Sequence, residues 1–174
     1  MPVDMRRSAR LSVRLSCVVV LLASFVVGCR PRTSFFAFQP VDLEGWSCTD
    51  TLRFMPPSAT ADGRYSLNLV VRFNNHLQYR DLWLVVEQRL RAADQRMRYL
   101  PHRDTLHLVV ANEAGKWLTP GVVLHEEEAF VGLPNLLEGE ALEVLVYHIM
   151  REQELQGLTE VGLRMEPSIS TTAP

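Results

Sequence analysis

Arg64-Tyr65-Ser66-Leu67-Asn68-Leu69-Val70-Val71-Arg72-Phe73-Asn74 is the stretch from which the fold is read. Tyr65, Leu67, Leu69, Val71 and Phe73 fall on one side of an extended chain, and Ser66, Asn68, Arg72 and Asn74 on the other. Successive side chains of a strand point to opposite faces, so this period of two predicts a strand with one buried face. Downstream, Asn74-Asn75-His76 reads as a turn and Leu82-Trp83-Leu84-Val85-Val86-Glu87 as the next strand. Strands joined this closely are expected to be antiparallel neighbours.

The same reading extends in both directions. Upstream, Ser34-Phe35-Phe36-Ala37-Phe38 leads from a tether into a first edge strand, and Asp50 to Phe54, after Gly45-Trp46, is a second short one. Pro56-Pro57 and the polar loop to Gly63 stop it. Downstream, Asp104 to Ala111 is a strand ended by Asn112-Glu113-Ala114-Gly115, and Pro120-Gly121 breaks the chain again. Glu140 to Met150 is apolar on both sides, as in a central strand covered on both faces, and Thr159 to Met165 closes the set after the turn at Gln156-Gly157. Seven or eight strands with no long amphipathic helix predict an all-β fold, an antiparallel β-sandwich or barrel of jelly-roll type.

Arg89, Arg91, Arg96, Arg98 and Arg103, against Asp94 alone, make a basic excursion that is a helical turn or a long hairpin loop. Its functional reading is electrostatic contact with anionic lipid headgroups or an acidic partner, and its plainer reading is a solvated loop.

At the N-terminus an apolar run from Leu15 to Gly28 follows Arg6, Arg7, Arg10 and Arg14, and Gly28 directly precedes Cys29. About 14 uncharged residues fall short of the roughly 20 that span a bilayer, which argues against an uncleaved signal anchor. The order of basic, apolar and small residues is that of a cleaved helical signal peptide, with Gly28 at the cut. A plain secretory signal, with Cys29 there by accident, is the alternative. Cysteine after the cut resembles the bacterial lipobox, which implies a diacylglycerol on Cys29 and three acyl chains, palmitate among them. At about 0.8 kcal/mol per buried methylene, such chains hold a domain at a membrane essentially permanently.

By resemblance to bacterial sorting rules, Arg30-Pro31-Arg32 without an aspartate disfavours inner-membrane retention, and the missing acidic run disfavours surface display. The expected place is the periplasmic face of the outer membrane. The expected division is 1–28 signal peptide, 29–44 lipidated tether with the first edge strand, 45–167 sandwich, and 168–174 disordered tail. The whole chain has net charge −2, and removing the first 28 residues leaves 14 basic and 19 acidic residues. That acidic excess argues against nucleic acid as a partner. Cys48 would be the single unacylated thiol; free cysteine is usually buried, and burial is the expectation.

No catalytic, cofactor or metal residue is expected. His125-Glu126-Glu127-Glu128 lacks the second histidine of a zinc protease, since position 129 is alanine, and calcium would want an Asp/Asn/Gly loop pattern that is absent. A solvated acidic loop is the preferred reading. His76, His102, His107 and His148 show no pairing by spacing, and no serine sits in a Gly-x-Ser-x-Gly elbow. His148 is expected to be half-buried and hydrogen-bonded. Trp46, Trp83 and Trp117 are read as sandwich core rather than as a sugar-stacking platform.

Several segments together resemble one family: Gly45-Trp46 followed by Asp50, Tyr65-Ser66-Leu67 through Arg72-Phe73-Asn74, and Tyr79-Arg80-Asp81-Leu82-Trp83-Leu84. Asp104-Thr105-Leu106, Gly115-Lys116-Trp117 and Met150-Arg151 through Leu155-Gln156-Gly157-Leu158-Thr159-Glu160-Val161-Gly162-Leu163-Arg164-Met165-Glu166 continue the series. With the lipobox at Cys29, they resemble the H-type gliding-motility lipoproteins (GldH) of the Bacteroidetes. The chain departs from that pattern at Leu118-Thr119-Pro120-Gly121 and in the length of the basic excursion. The resemblance implies a non-catalytic lipoprotein of the gliding and type IX secretion apparatus, with other envelope or motility lipoproteins as partners and no small-molecule substrate. A glycan-binding sandwich and a hydrolase with residues drawn from separate strands are the rival readings. Within the last segment, Gly157 is expected to permit a hairpin turn across which Arg151 pairs with Glu160 or another carboxylate.

Overall fold

The computed structural model describes residues 34–42, 44–92 and 102–168. The signal segment, Gly28, Cys29, Asp94, Arg96, Arg98 and the tail beyond 168 lie outside them. Among the described residues there are eight strands of three or more residues: β1 (Phe35–Pro40), β3 (Leu52–Phe54), β4 (Gly63–Asn74), β5 (Asp81–Arg91), β6 (His102–Val109), β7 (Leu124–Gly132), β9 (Ala141–His148) and β11 (Leu158–Pro167). Three two-residue pieces accompany them: β2 (Trp46–Ser47), β8 (Asn135–Leu136) and β10 (Glu154–Leu155). All pairings are antiparallel, in one sheet of order β1-β11-β4-β7 and a second of order β3-β9-β5-β6. Taken in chain order, the eight strands follow 1-8-3-6 over 2-7-4-5, which is the jelly-roll arrangement of a two-sheet sandwich.

The inner faces supply the core. Tyr65, Leu67, Leu69, Val71 and Phe73 of β4 are all buried, as their alternation predicts, and meet Leu82, Leu84 and Val86 of β5 and Val144 and Val146 of β9. Val161, Leu163 and Met165 of β11 complete that layer. Central β9 is buried at five successive positions from Leu142 to Val146, so its reading as a strand covered on both sides holds.

Four expectations about connections and elements are corrected. β4 and β5 are not neighbours: the six residues between Asn74 and Asp81 carry the chain from one sheet to the other. In this topology only β5 and β6 form a hairpin between consecutive main strands, and a short loop serves crossovers equally well. Second, Glu126 to Glu128 lie in β7, not in a solvated loop. Their alternation is masked because Leu124, Glu126, Glu128 and Phe130 are exposed while His125 is buried on the opposite face, so polarity and side do not coincide.

Third, β9 and β11 belong to different sheets, so Arg151 does not face Glu160 across a hairpin; Glu160 accepts from Arg72 Nη1 at 2.8 Å instead. Gly157 does hold a left-handed turn, at φ 89°, and a Cβ there would lie 2.2 Å from the backbone nitrogen of Leu77. Fourth, Cys48 is exposed rather than buried, because it occupies the turn that follows β2.

The sandwich has two distinguishable ends. Phe35 pairs with Met165, and Met165 with Leu67, so the chain comes into the sandwich at the end where β4 begins. Asn135 pairs with Arg64 at that end, and with four residues between them Leu136 is followed by β9, whose first residue, Ala141, pairs with Arg91. This root end therefore holds the starts of β1, β4, β6 and β9 and the end of β5. The opposite tip holds Asn74, Asp81, Val109, Leu124 and His148. At about 3.3 Å per residue, Leu67 and Asn74 are separated by roughly 23 Å along β4.

Candidate functional site

Two surfaces stand out, one at each end. At the tip, Leu118 bonds back to Val110 (N to O, 3.0 Å), and Thr119-Pro120-Gly121 then wraps the ring of His125. The His125 ring is buried, stacked on Phe73 at 5.4 Å and tilted against Trp117. Its Nδ1 lies 3.2 Å from the Thr119 carbonyl and its Nε2 3.2 Å from Asn75 Oδ1. Asn75 is the hub: Oδ1 also accepts from Trp117 Nε1 at 3.2 Å, and Nδ2 donates to the Val122 carbonyl at 2.9 Å. Gly121 is required by close approach, since a Cβ would meet the Leu124 carbonyl at 2.3 Å.

This scaffold holds up an apolar crest. Leu118, Val122, Val123 and Leu124 are 55, 87, 66 and 50% exposed. A loop fixed by side-chain hydrogen bonds thus presents four apolar side chains to solvent. Sequence reasoning read Pro120-Gly121 only as a break; the signal it passed over was three apolar residues in succession directly after that break, where alternation is lost.

At the root, the outer face of the second sheet carries arginines over buried carboxylates. Glu143 of β9, with a side chain only 2% exposed, lies 3.2 Å from Arg53 Nη1, 3.2 Å from Arg91 Nη2 and 3.9 Å from Arg89 Nη1. Glu87 of β5, at 7%, accepts from Arg89 Nε at 2.7 Å and Arg103 Nη2 at 3.0 Å. The hydrogen bonds from Arg89 and Arg103 hold the Glu87 carboxyl below the usual range, against the opposing effect of burial. The pairing raises the Arg103 guanidinium in turn, with the nearby Tyr147 adding to the effect.

The basic excursion is corrected accordingly. Arg89 and Arg91 end β5 and Arg103 opens β6, with Gln88 paired to His102, so these three arginines are strand residues with carboxylate partners. The ends of the excursion are thus the paired arms of β5 and β6, while Asp94, Arg96 and Arg98 lie outside the described residues.

The remaining candidates do not converge. Trp46 is core, at 5.4 Å from the His148 ring; Trp83 is exposed on the outer face of β5, stacked on His107 at 4.2 Å; Trp117 is half-buried beside Phe73. The expectation that all three are core therefore holds for Trp46, in part for Trp117, which packs half-buried against the core, and fails for Trp83, which faces outward. His148 is fully rather than half buried, and Nε2 contacts the Trp46 carbonyl at 2.8 Å. Burial pushes its pKa down from the ordinary 6.5, with that hydrogen bond opposing.

A cavity of about 470 Å³ opens between the sheets at the root, walled by Leu90, Val131, Leu133 and Leu142. His102 and Asp104, 2.7 Å apart, stand at its solvent-exposed rim. Among the described residues no cluster of three or more His, Cys, Asp or Glu is arranged to hold a metal, and no helix is long and apolar enough to cross a membrane.

Residues 33–165 match the model of the GldH lipoprotein family. No curated protein matches the chain. Among solved structures it is similar to a CocE/NonD family hydrolase from Staphylococcus aureus, at 11% identity and TM-score 0.36, over 80% of this chain and 32% of that one. It is also similar to dimeric latent PorU from Porphyromonas gingivalis (7%, TM-score 0.35, 82% and 13% of the two chains). A third similarity is to Eiger TNF from S. frugiperda (12%, TM-score 0.31, 83% and 99%). The chain spans about a third of the staphylococcal hydrolase.

Proposed function

The chain belongs to the GldH lipoprotein family, and from that premise we propose a non-catalytic protein of the outer membrane that faces the periplasm and acts by protein contact. Cleavage after Gly28 and acylation of Cys29 anchor it, and its partners are envelope proteins of a gliding-motility or type IX secretion-associated assembly. The observation that carries the contact reading is the crest of Leu118, Val122, Val123 and Leu124. Contiguous exposed apolar surface is uncommon on isolated soluble domains and marks interaction sites. Its burial is worth about 25 cal/mol per Å², and because Asn75 and His125 already fix the loop, little ordering cost offsets that gain. A glycan platform would want tryptophans along one exposed groove, and the three here sit in separate surroundings.

The test is crosslinking of the full chain in its own envelope, followed by pull-down, with Val122→Asp/Val123→Asp as the comparison. Wild type should retain specific envelope proteins and the double variant should lose most of them, at an unchanged thermal midpoint, since both side chains are exposed. Equal recovery by the variant would remove the crest from the proposal. Recovery of nothing, where a control complex is retained, would sink the assembly role itself. Cys29→Ser examines the anchor separately: a variant still processed and held in the outer membrane contradicts acylation.

A further inference from the structure

We propose that the arginine cluster at the root is a docking surface for the anionic phosphate headgroups of the bilayer that holds the anchor. Arg53, Arg89, Arg91 and Arg103 come from three strands of the second sheet and, among the described residues, surround two carboxylates, Glu87 and Glu143. Among the described residues the cluster thus carries two more positive charges than negative ones, on a chain whose net charge is −2. Because both carboxylates are buried beneath the guanidiniums, the surface offered outward is cationic.

Each guanidinium has five donors, and the ion pairs use only one or two of them. The remaining N–H groups form the planar forks that suit phosphate oxygens. A basic face on an otherwise acidic chain selects for an anionic surface rather than for surfaces in general.

Position selects the membrane over an acidic protein. The cluster lies on the root half of the outer face: Arg91 pairs with Ala141, the first residue of β9, Arg53 and Arg103 stand four residues further along, level with Glu87, and Phe35 comes into the sandwich at the root. Cys29 precedes Phe35 by six residues, a reach of about 20 Å when extended. The inference rests on the anchoring reading: a bilayer holding Cys29 is within reach of the root, whereas the crest is a full strand length further away. One end is thus seated on headgroups while the other is held out for a protein.

The test uses the full acylated chain in vesicles of phosphatidylcholine alone or with phosphatidylglycerol. A benzophenone-bearing residue replaces Thr105, which is exposed on the outer face of β6 beside Arg103, or Val122 at the crest. Lipid adducts are expected at position 105 in the anionic vesicles and not at 122. Each of Arg53→Gln and Arg103→Gln should lower the yield about fivefold, as for loss of one basic side chain near an anionic surface. Both variants leave a guanidinium on each buried carboxylate, so the fold is retained. Arg103→Lys should give a yield between those of wild type and Arg103→Gln, the charge being kept and the fork lost, and about 0.5 M salt should remove the adduct by screening.

Equal adducts in neutral and anionic vesicles would overturn the docking surface while the chain still floats with lipid. Loss of the adduct to a few millimolar inorganic phosphate at constant ionic strength would reveal a discrete phosphate site instead. In native envelopes, adducts at 105 to protein alone would assign the surface to an acidic partner. Failure to float with any vesicle would overturn the anchor as well.

Discussion

The two sheets turn faces of opposite design to the outside. On the first, Arg72 of β4 reaches Glu126 and Glu160 at 2.8 Å each and Arg164 lies 3.5 Å from Glu128, with all three carboxylates open to solvent. Phe38 and Phe36 of β1 lie beneath those guanidiniums, at 3.7 and 4.4 Å from ring centroid to carbon. On the second, the carboxylates are buried and the arginines exposed. Residue types are shared between the two faces; depth differs. An exposed pair is solvated with or without its partner and contributes little, whereas a buried carboxylate must be neutralised and draws several guanidiniums over it. The second face therefore ends up holding itself together and carrying surplus positive charge in a single arrangement.

Glu143→Ala should break this difference most directly. Removing the anion shared by Arg53, Arg89 and Arg91 is expected to lower stability by about 2–3 kcal/mol in urea unfolding. A loss no larger than that of a surface pair would erase the distinction between the faces.

Acid should sharpen it. The Glu87 carboxyl is held below its ordinary 4.5, so its contribution is complete above that value and is lost as pH falls through the folded pKa. Stability measured from pH 6 down to 3 should drop less steeply in Glu87→Gln than in wild type, and parallel curves would contradict the assignment. The smallest effect belongs to the first face, where Glu126→Ala should stay within about 0.5 kcal/mol, because Arg72 retains Glu160 and both partners are solvated.

The same contrast governs what could be read from the residues alone. β4 was legible because every inward position from Tyr65 to Phe73 is apolar and most outward ones are polar. β9 was legible as a doubly covered strand, although the cover on its outer side is in part arginine stems rather than another layer of the fold. β7 escaped because a buried histidine is satisfied by the tip loop while a leucine and a phenylalanine face out. Sheet changes escaped too, since six residues bridge a hairpin or a crossover with equal ease. Glu87 and Glu143, each a single acid within an apolar run, carried a signal for the arginine face; their partners lie on other strands, which spacing along the chain does not reveal.

The pairing of β1 with β11 also sets a clock on assembly. The first strand's ladder partner is the last one, with Phe35 to Pro40 matched against Met165 back to Glu160, and β11 is also what separates β1 from β4. Until residue 167 has been synthesised, the first sheet lacks its second strand and β4 has an open edge. Contacts so distant in sequence form slowly, because loop closure must precede their reward. A chain of this topology completes its first sheet only once β11 is available to it.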